Sequence, residues 1–161
     1  MTTIAFKDGV MACDSKCTDD DGAFFSRTQK IFRLANNALL GTAGDGDVRE
    51  VIDVFDTCAP KRLPSKQKLA DTKTDFAGLL AFPGGRLFGV DIQHCKNRSE
   101  WTAQVVEIEE RIAACGSGHQ FAIGAMAAGR SAAEAVAIAC RYDSYSQGPI
   151  KEISVKVTKR K

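Results

Sequence analysis

The chain has no apolar run approaching the length of about 20 residues that a membrane span needs. Its opening, MTTIAFKDG, has neither the basic region nor the apolar stretch of a signal peptide, so a cytoplasmic protein is expected. Histidine is scarce: only His94 and His119 are present, too far apart for a paired metal motif. The cysteines, Cys13, Cys17, Cys58, Cys95, Cys115 and Cys140, are scattered and form no CxxC. Neither a metal site nor a disulfide framework is expected; in a reducing compartment they read as small buried hydrophobes. Charge of one sign is not in excess, with 22 Lys and Arg against 20 Asp and Glu. Bulk electrostatics therefore give no reason to expect a nucleic-acid or membrane partner, and the basic end Lys159-Arg160-Lys161 reads as frayed surface. There is no internal repeat and no low-complexity segment. The 161 residues, 44% hydrophobic and 26% charged, suit one domain spanning residues 1–161 with its own core.

The order of elements follows from periodicity and turn signals. Thr3 to Lys7 and Val10 to Asp14 flank Asp8-Gly9, a two-residue hairpin signal. Residues 16–27 are polar and Asp-rich and read as a loop. A second strand pair is expected from Gln29 to Leu34 and from Ala38 to Ala43. Next comes a helix with Val48, Val51, Ile52 and Phe55 on one face, capped by Asp45 or Asp47 and ended by Pro60. Residues 60–75 are polar and lysine-rich, with little pattern. Phe76 to Phe82 and Arg86 to Val90 flank Pro83-Gly84-Gly85 as another hairpin, and strands are expected near 102–107 and 111–115. Gly116-Ser117-Gly118 opens a small-residue helix over 119–128; Ser131 to Glu134 is a capping box for a helix to about Tyr142. Glu152 to Val157 alternates as a last strand. Strand pairs interleaved with helices in this way imply an α+β domain of antiparallel sheets covered by helices.

Thr2 stands out chemically. Aminopeptidases remove an initiator Met that precedes a small residue, and the chain would then begin with a threonine carrying both a hydroxyl and a free α-amino group. That amine, with a pKa near about 8, exchanges protons with the adjacent hydroxyl at working pH. Taken alone, a Met-Thr start is commonplace.

The remaining motifs change the weight of that observation. TTIAFKDGVMACDS resembles the opening of proteasome β subunits and HslV, in which a Thr-Thr strand and a Gly turn lead to Ala-x-Asp-Ser. TQKIFRL resembles their lysine-bearing strand, LLGTAGDGD their Leu-x-Gly-x-Ala-Gly-Gly, CGSGHQFAIGAM their Gly-Ser-Gly helix opening, and RYDSYSQG the Arg-Asp-Ala-x-Ser-Gly-Gly of proteasome β subunits. The five motifs run in family order from residue 2 to about residue 157.

The resemblance implies the four-layer αββα sandwich of N-terminal nucleophile hydrolases. It implies Thr2 as nucleophile once Met1 is removed, and Lys30 beside its hydroxyl, paired with Asp14. It implies Gly44 as the N–H donor to the oxyanion, Ser117 near the α-amino group, and Asp143 with Ser146 around the terminal amine. As ordinary structural residues these would be a hairpin-end aspartate, a surface lysine, a strand-to-helix turn, a helix N-cap and a helix-end cluster. By analogy Cys17, Thr28, Thr42 and Gly46 line the substrate pocket. The resemblance further implies peptide-bond hydrolysis without a cofactor, on peptides or unfolded proteins, inside stacked hexameric or heptameric rings. An ATP-dependent unfoldase is an implied partner, although the family's long second helix has only the polar stretch 60–75 as its counterpart. Two departures are local: Gln29 stands where a second lysine is usual, and Asp45 follows Gly44. The rival expectations are a catalytically silent ring scaffold and a small-molecule amidase on the same fold.

Overall fold

The computed structural model describes residues 2–18, 25–44, 48–97 and 99–155. The chain opens on the expected hairpin: β1 (Thr3–Lys7) and β2 (Val10–Cys13) pair antiparallel with Lys7 opposite Val10. Asp8 and Gly9 turn the chain at φ of 50° and 80°. Positive φ at both turn positions matches the twist of the flanking strands, and Asp-Gly tolerates it.

Of the stretch 16–27, expected as a loop, residues 19–24 lie outside the described residues, and the two ends are strand rather than loop. Lys16–Thr18 (β3) and Phe25–Arg27 (β4) pair as an antiparallel ribbon. Strands of three residues carry too few side chains for an alternation to show. Next come β5 (Ile31–Arg33), β6 (Leu39–Ala43) and α1 (Arg49–Asp56). The N-cap of α1 is Val48, with no side-chain cap bond; Asp45 and Asp47, the expected caps, lie outside the described residues, as do Met1, Gly46 and the basic tail. The polar stretch 60–75 also differs, because it holds a short helix, α2 (Lys66–Ala70). Ser65 caps it by accepting the Lys68 N–H at 3.2 Å, and Leu69 and Ala70 are buried. One turn and a half is too short to display a helical period.

The rest follows the expected order: β7 (Phe76–Ala81), β8 (Leu87–Cys95), β9 (Glu100–Ile108), β10 (Ile112–Gly116), α3 (His119–Ala127), α4 (Ala132–Tyr142) and β11 (Lys151–Ser154). The Ser131–Glu134 capping box forms in both directions, with Glu134 N–H on Ser131 Oγ and Ser131 N–H on the Glu134 carboxylate.

Two larger antiparallel sheets result, in the orders β10-β1-β2-β11 and β5-β6-β7-β8-β9. Side-chain alternation assigns their faces. Ala5, Ala12 and Ala114 point from the first sheet to α3 and α4, where they meet Ala122, Met126 and Val136. Ile4, Phe6, Met11 and Cys13 point the other way, to Ile31, Leu39, Leu79 and Leu87 of the second sheet. The second sheet's outer face, with Leu40, Phe76, Leu80, Val90 and Ile92, is covered by Val51 and Phe55 of α1 and Leu69 of α2. Helices, sheet, sheet and helices thus succeed one another, each apolar face buried against the next. The sheets pack tightly at Gly41, where a Cβ would lie 2.8 Å from Ile4 and 2.9 Å from Met11. Among the described residues no helix is long and apolar enough to cross a membrane.

Candidate active site

The N-terminal strand passes through the middle of its sheet, between β10 and β2. Thr3, its first residue, is fully buried, and Thr2 just before it is buried at 5% exposure. Thr3 lies opposite Gly116 in the ladder. Gly116 has φ of 90°, and a Cβ there would fall 1.9 Å from the Thr2 carbonyl oxygen, so only glycine lets β10 lie this close to Thr2. One residue on, Ser117 Oγ stands 3.3 Å from the same carbonyl oxygen.

Asp14 follows β2 and is fully buried. Its Oδ1 accepts the Thr3 N–H and the Lys30 ammonium, both at 2.9 Å; its Oδ2 accepts the N–H groups of Lys16 at 3.0 Å and Gln147 at 3.2 Å. Lys30, just before β5, is 4% exposed and also donates to the Lys16 carbonyl. An ammonium and a carboxylate buried together, each with further hydrogen bonds, form the kind of pair that survives out of water. The structure thus brings Asp14 and Lys30 into contact and ties Asp14 directly, and Lys30 through it, to the backbone of Thr3.

A second cluster closes the other side. Asp143, the C-cap of α4, receives Ser117 Oγ at 2.7 Å and Ser146 Oγ at 2.6 Å on Oδ2, and the Tyr145 N–H on Oδ1. Burial works to raise its carboxyl, but the bonds from Ser146, Ser117 and Tyr145 outweigh it and hold the group below the usual carboxylate value. Ser117, Asp143 and Ser146 are thereby one connected set, joined to Thr2 through Ser117.

Gly44 closes β6 at φ of 146°, with a position for Cβ only 2.4 Å from the Asp75 carbonyl oxygen, so the glycine is required by both conformation and space. Of the pocket residues, Cys17 is exposed on β3. Thr28 donates its N–H to the Ser15 carbonyl, and Thr42 is buried with its hydroxyl on the Lys30 carbonyl at 3.3 Å. The cysteines are only in part the expected buried hydrophobes, since Cys13 and Cys58 are buried whereas Cys17 is exposed. Burial pushes the thiol of Cys13 up to about 11 and that of Cys115 up to about 12, so neither supplies a thiolate nucleophile at neutral pH.

Thr3 escaped the sequence reading. Its Oγ1 is 2.6 Å from Ser146 Oγ. The available signal was its strand parity. Thr3 shares the face of Ala5 and Ala12, which packs on alanine-rich helices, and a hydroxyl facing such a surface must find a partner.

The chain matches no protein-family model and no curated protein. Its fold is like that of Thiobacillus denitrificans BPH, at 21% identity and a TM-score of 0.59, over 96% of this chain and 98% of that one. The same protein in complex with epoxomicin compares over the same shares at 21% identity and a TM-score of 0.61.

Proposed function

We propose that the chain is an N-terminal threonine peptidase on the four-layer αββα sandwich of N-terminal nucleophile hydrolases, acting from Thr2 after removal of Met1. The observation that carries this reading is the buried Lys30–Asp14 pair at 2.9 Å, tied through the Thr3 N–H to the very segment that holds Thr2. A buried ion pair contributes little net stability and is costly to desolvate, so its position beside an N-terminal threonine favours a chemical role. The likeness in fold to a protein solved with epoxomicin, a proteasome inhibitor, supports the same reading.

In this mechanism the free Thr2 amine takes the hydroxyl proton while the oxygen attacks the peptide carbonyl, and Lys30 stabilises the developing alkoxide. The Gly44 N–H holds the oxyanion. The C–N bond breaks, the Thr2 ammonium gives its proton to the departing amine, and an ester remains on Thr2. Water, deprotonated by the same amine, then releases the acid. The Asp143 cluster orients the amine. Peptides and unfolded chains are the proposed substrates, reached within stacked hexameric or heptameric rings of this chain, and no cofactor enters. The short α2 favours one alternative, a small-molecule amidase working without an unfoldase. A protein substrate such as casein separates the two, since only the peptidase cleaves it.

The test is intact-protein mass spectrometry before and after a peptide epoxyketone, a warhead that needs both the hydroxyl and the free amine of one N-terminal threonine. Loss of Met1 and one adduct, absent in Thr2→Ala, is the expected result. Retained Met1 with no adduct refutes the mechanism and leaves the scaffold.

A further inference from the structure

Thr3 touches both halves of the site. Its N–H donates to Asp14 Oδ1, its carbonyl accepts the Asp14 N–H at 3.2 Å, and its hydroxyl meets Ser146. The direction of that last bond follows from counting hydrogens. Ser146 has one hydroxyl proton and gives it to Asp143, at 2.6 Å. Thr3 must therefore be the donor at 2.6 Å, and the order is Thr3 O–H to Ser146 O–H to the Asp143 carboxylate. The hydroxyl sits in a slot cut for it: a Cβ on Gly118 would lie 2.1 Å from Thr3 Oγ1. Thr3 is wholly buried, and its β-branch leaves few rotamers, so the donor is fixed in place.

We propose that Thr3 is a positioning residue, whose hydroxyl locks the Ser146–Asp143–Ser117 cluster in register with the Asp14–Lys30 pair across the Thr2 backbone. The inference rests on the peptidase reading above. Without the Thr3 donor, Ser146 Oγ loses the bond it accepts and is held only by the one it gives to Asp143, so the cluster beside Ser117 and the Thr2 carbonyl loses its direct side-chain tie to Thr3. The Thr2 amine then loses its fixed relation to the hydroxyl it must deprotonate. Misplacement of this kind acts on turnover more than on substrate affinity.

The experiment compares wild type, Thr3→Val and Thr3→Ser by peptide hydrolysis across pH, epoxyketone adduct rate and thermal midpoint. Thr3→Val keeps the shape and removes the donor; it is expected to lower kcat by roughly tenfold to a hundredfold with KM little changed, and to slow adduct formation in parallel. Thr3→Ser returns the hydroxyl and is expected to recover most of the lost kcat. Should Thr3→Val fail to fold, Thr3→Ala, which removes the donor and adds no bulk beside Gly118, makes the same comparison. A donor-less variant with wild-type kcat and pH profile, even with a lowered thermal midpoint, overturns the inference while leaving the peptidase reading standing. A wild type that takes no adduct refutes that reading first.

Discussion

Removing the Asp14 carboxylate perturbs the site at its most connected point. Four donors converge on it: the N–H groups of Thr3, Lys16 and Gln147, and the Lys30 ammonium. In Asp14→Ala all four lose their acceptor. Leaving one member of a buried ion pair alone costs about 3–5 kcal/mol, and each orphaned N–H adds to that, about 1–3 kcal/mol where water cannot reach it. Asp14→Asn is nearly as disruptive, because its NH2 must face two N–H donors, Lys16 and Gln147, if its oxygen keeps Thr3 and Lys30. Lys30→Met removes only one of the four donors and leaves the carboxylate three N–H partners, so its cost falls at the low end, about 3 kcal/mol.

The expected order of stability loss is therefore Asp14→Ala, then Asp14→Asn, then Lys30→Met. Against a total of about 5–15 kcal/mol these are large fractions. For a chain of this length about 2–4 °C accompanies each kcal/mol, so the ion-pair component alone corresponds to a fall of roughly 6–20 °C. Urea unfolding at one fixed protein concentration is the assay, because association would shift apparent stability. An Asp14→Asn protein within about 0.5 kcal/mol of wild type would refute the reasoning, since a donor-facing amide cannot be neutral in a site this closed.

Two further outcomes follow from single groups. Gly44→Ala forces a Cβ to within 2.4 Å of the Asp75 carbonyl at a φ of 146°, and is expected to cost about 1–3 kcal/mol in backbone strain. Ala keeps the main-chain N–H, but strain that shifts it from the oxyanion position should lower kcat, by up to the factor of about 10²–10³ that losing one such donor costs; wild-type melting and turnover together would contradict both statements. Asp143 has a folded-state pKa below the ordinary 3.8, so its contribution is fully present above that pH and is lost as pH falls through the lowered value. Asp143→Asn should accordingly be less stable than wild type at pH 7, with the gap closing below the ordinary value. A gap that stays constant in urea melts on both sides of that window would remove the carboxylate's charge from the account.

How far the site could be read in advance depended on what each residue does. Asp14 and Lys30 are separated by a ribbon, and neither charge pattern nor periodicity pairs them; only the resemblance named them as partners. The hairpin at Asp8-Gly9, the capping box at Ser131 and the helix over Val51 and Phe55 were legible because turn chemistry and amphipathic period act locally. The ribbon of β3 and β4, the short α2 and the hydroxyl of Thr3 were not. Two are too brief to carry a period, and the third acquires its meaning from Ser146, far along the chain. Gly116 illustrates the same limit: it reads as a helix-opening glycine, yet its stringent requirement is the Thr2 carbonyl that β10 brings against it.

A purely structural account of this region explains Asp14 and leaves Lys30 over. Three main-chain N–H groups from separate segments need an acceptor at the end of the hairpin, and a buried aspartate answers that need whether or not anything reacts nearby. Among the bonds of the Lys30 ammonium, by contrast, those to Asp14 and to the Lys16 carbonyl fill no demand that water or a neutral donor could not meet at lower cost. Lys30 is nonetheless buried to 4% exposure, on the carboxylate that also holds the Thr3 N–H. Lys30→Met is therefore the discriminating variant. If Lys30 only fills space, Met restores the packing, and both peptide turnover and epoxyketone reactivity persist at whatever stability remains. If it serves the Thr2 hydroxyl, both vanish under conditions in which the variant is still folded.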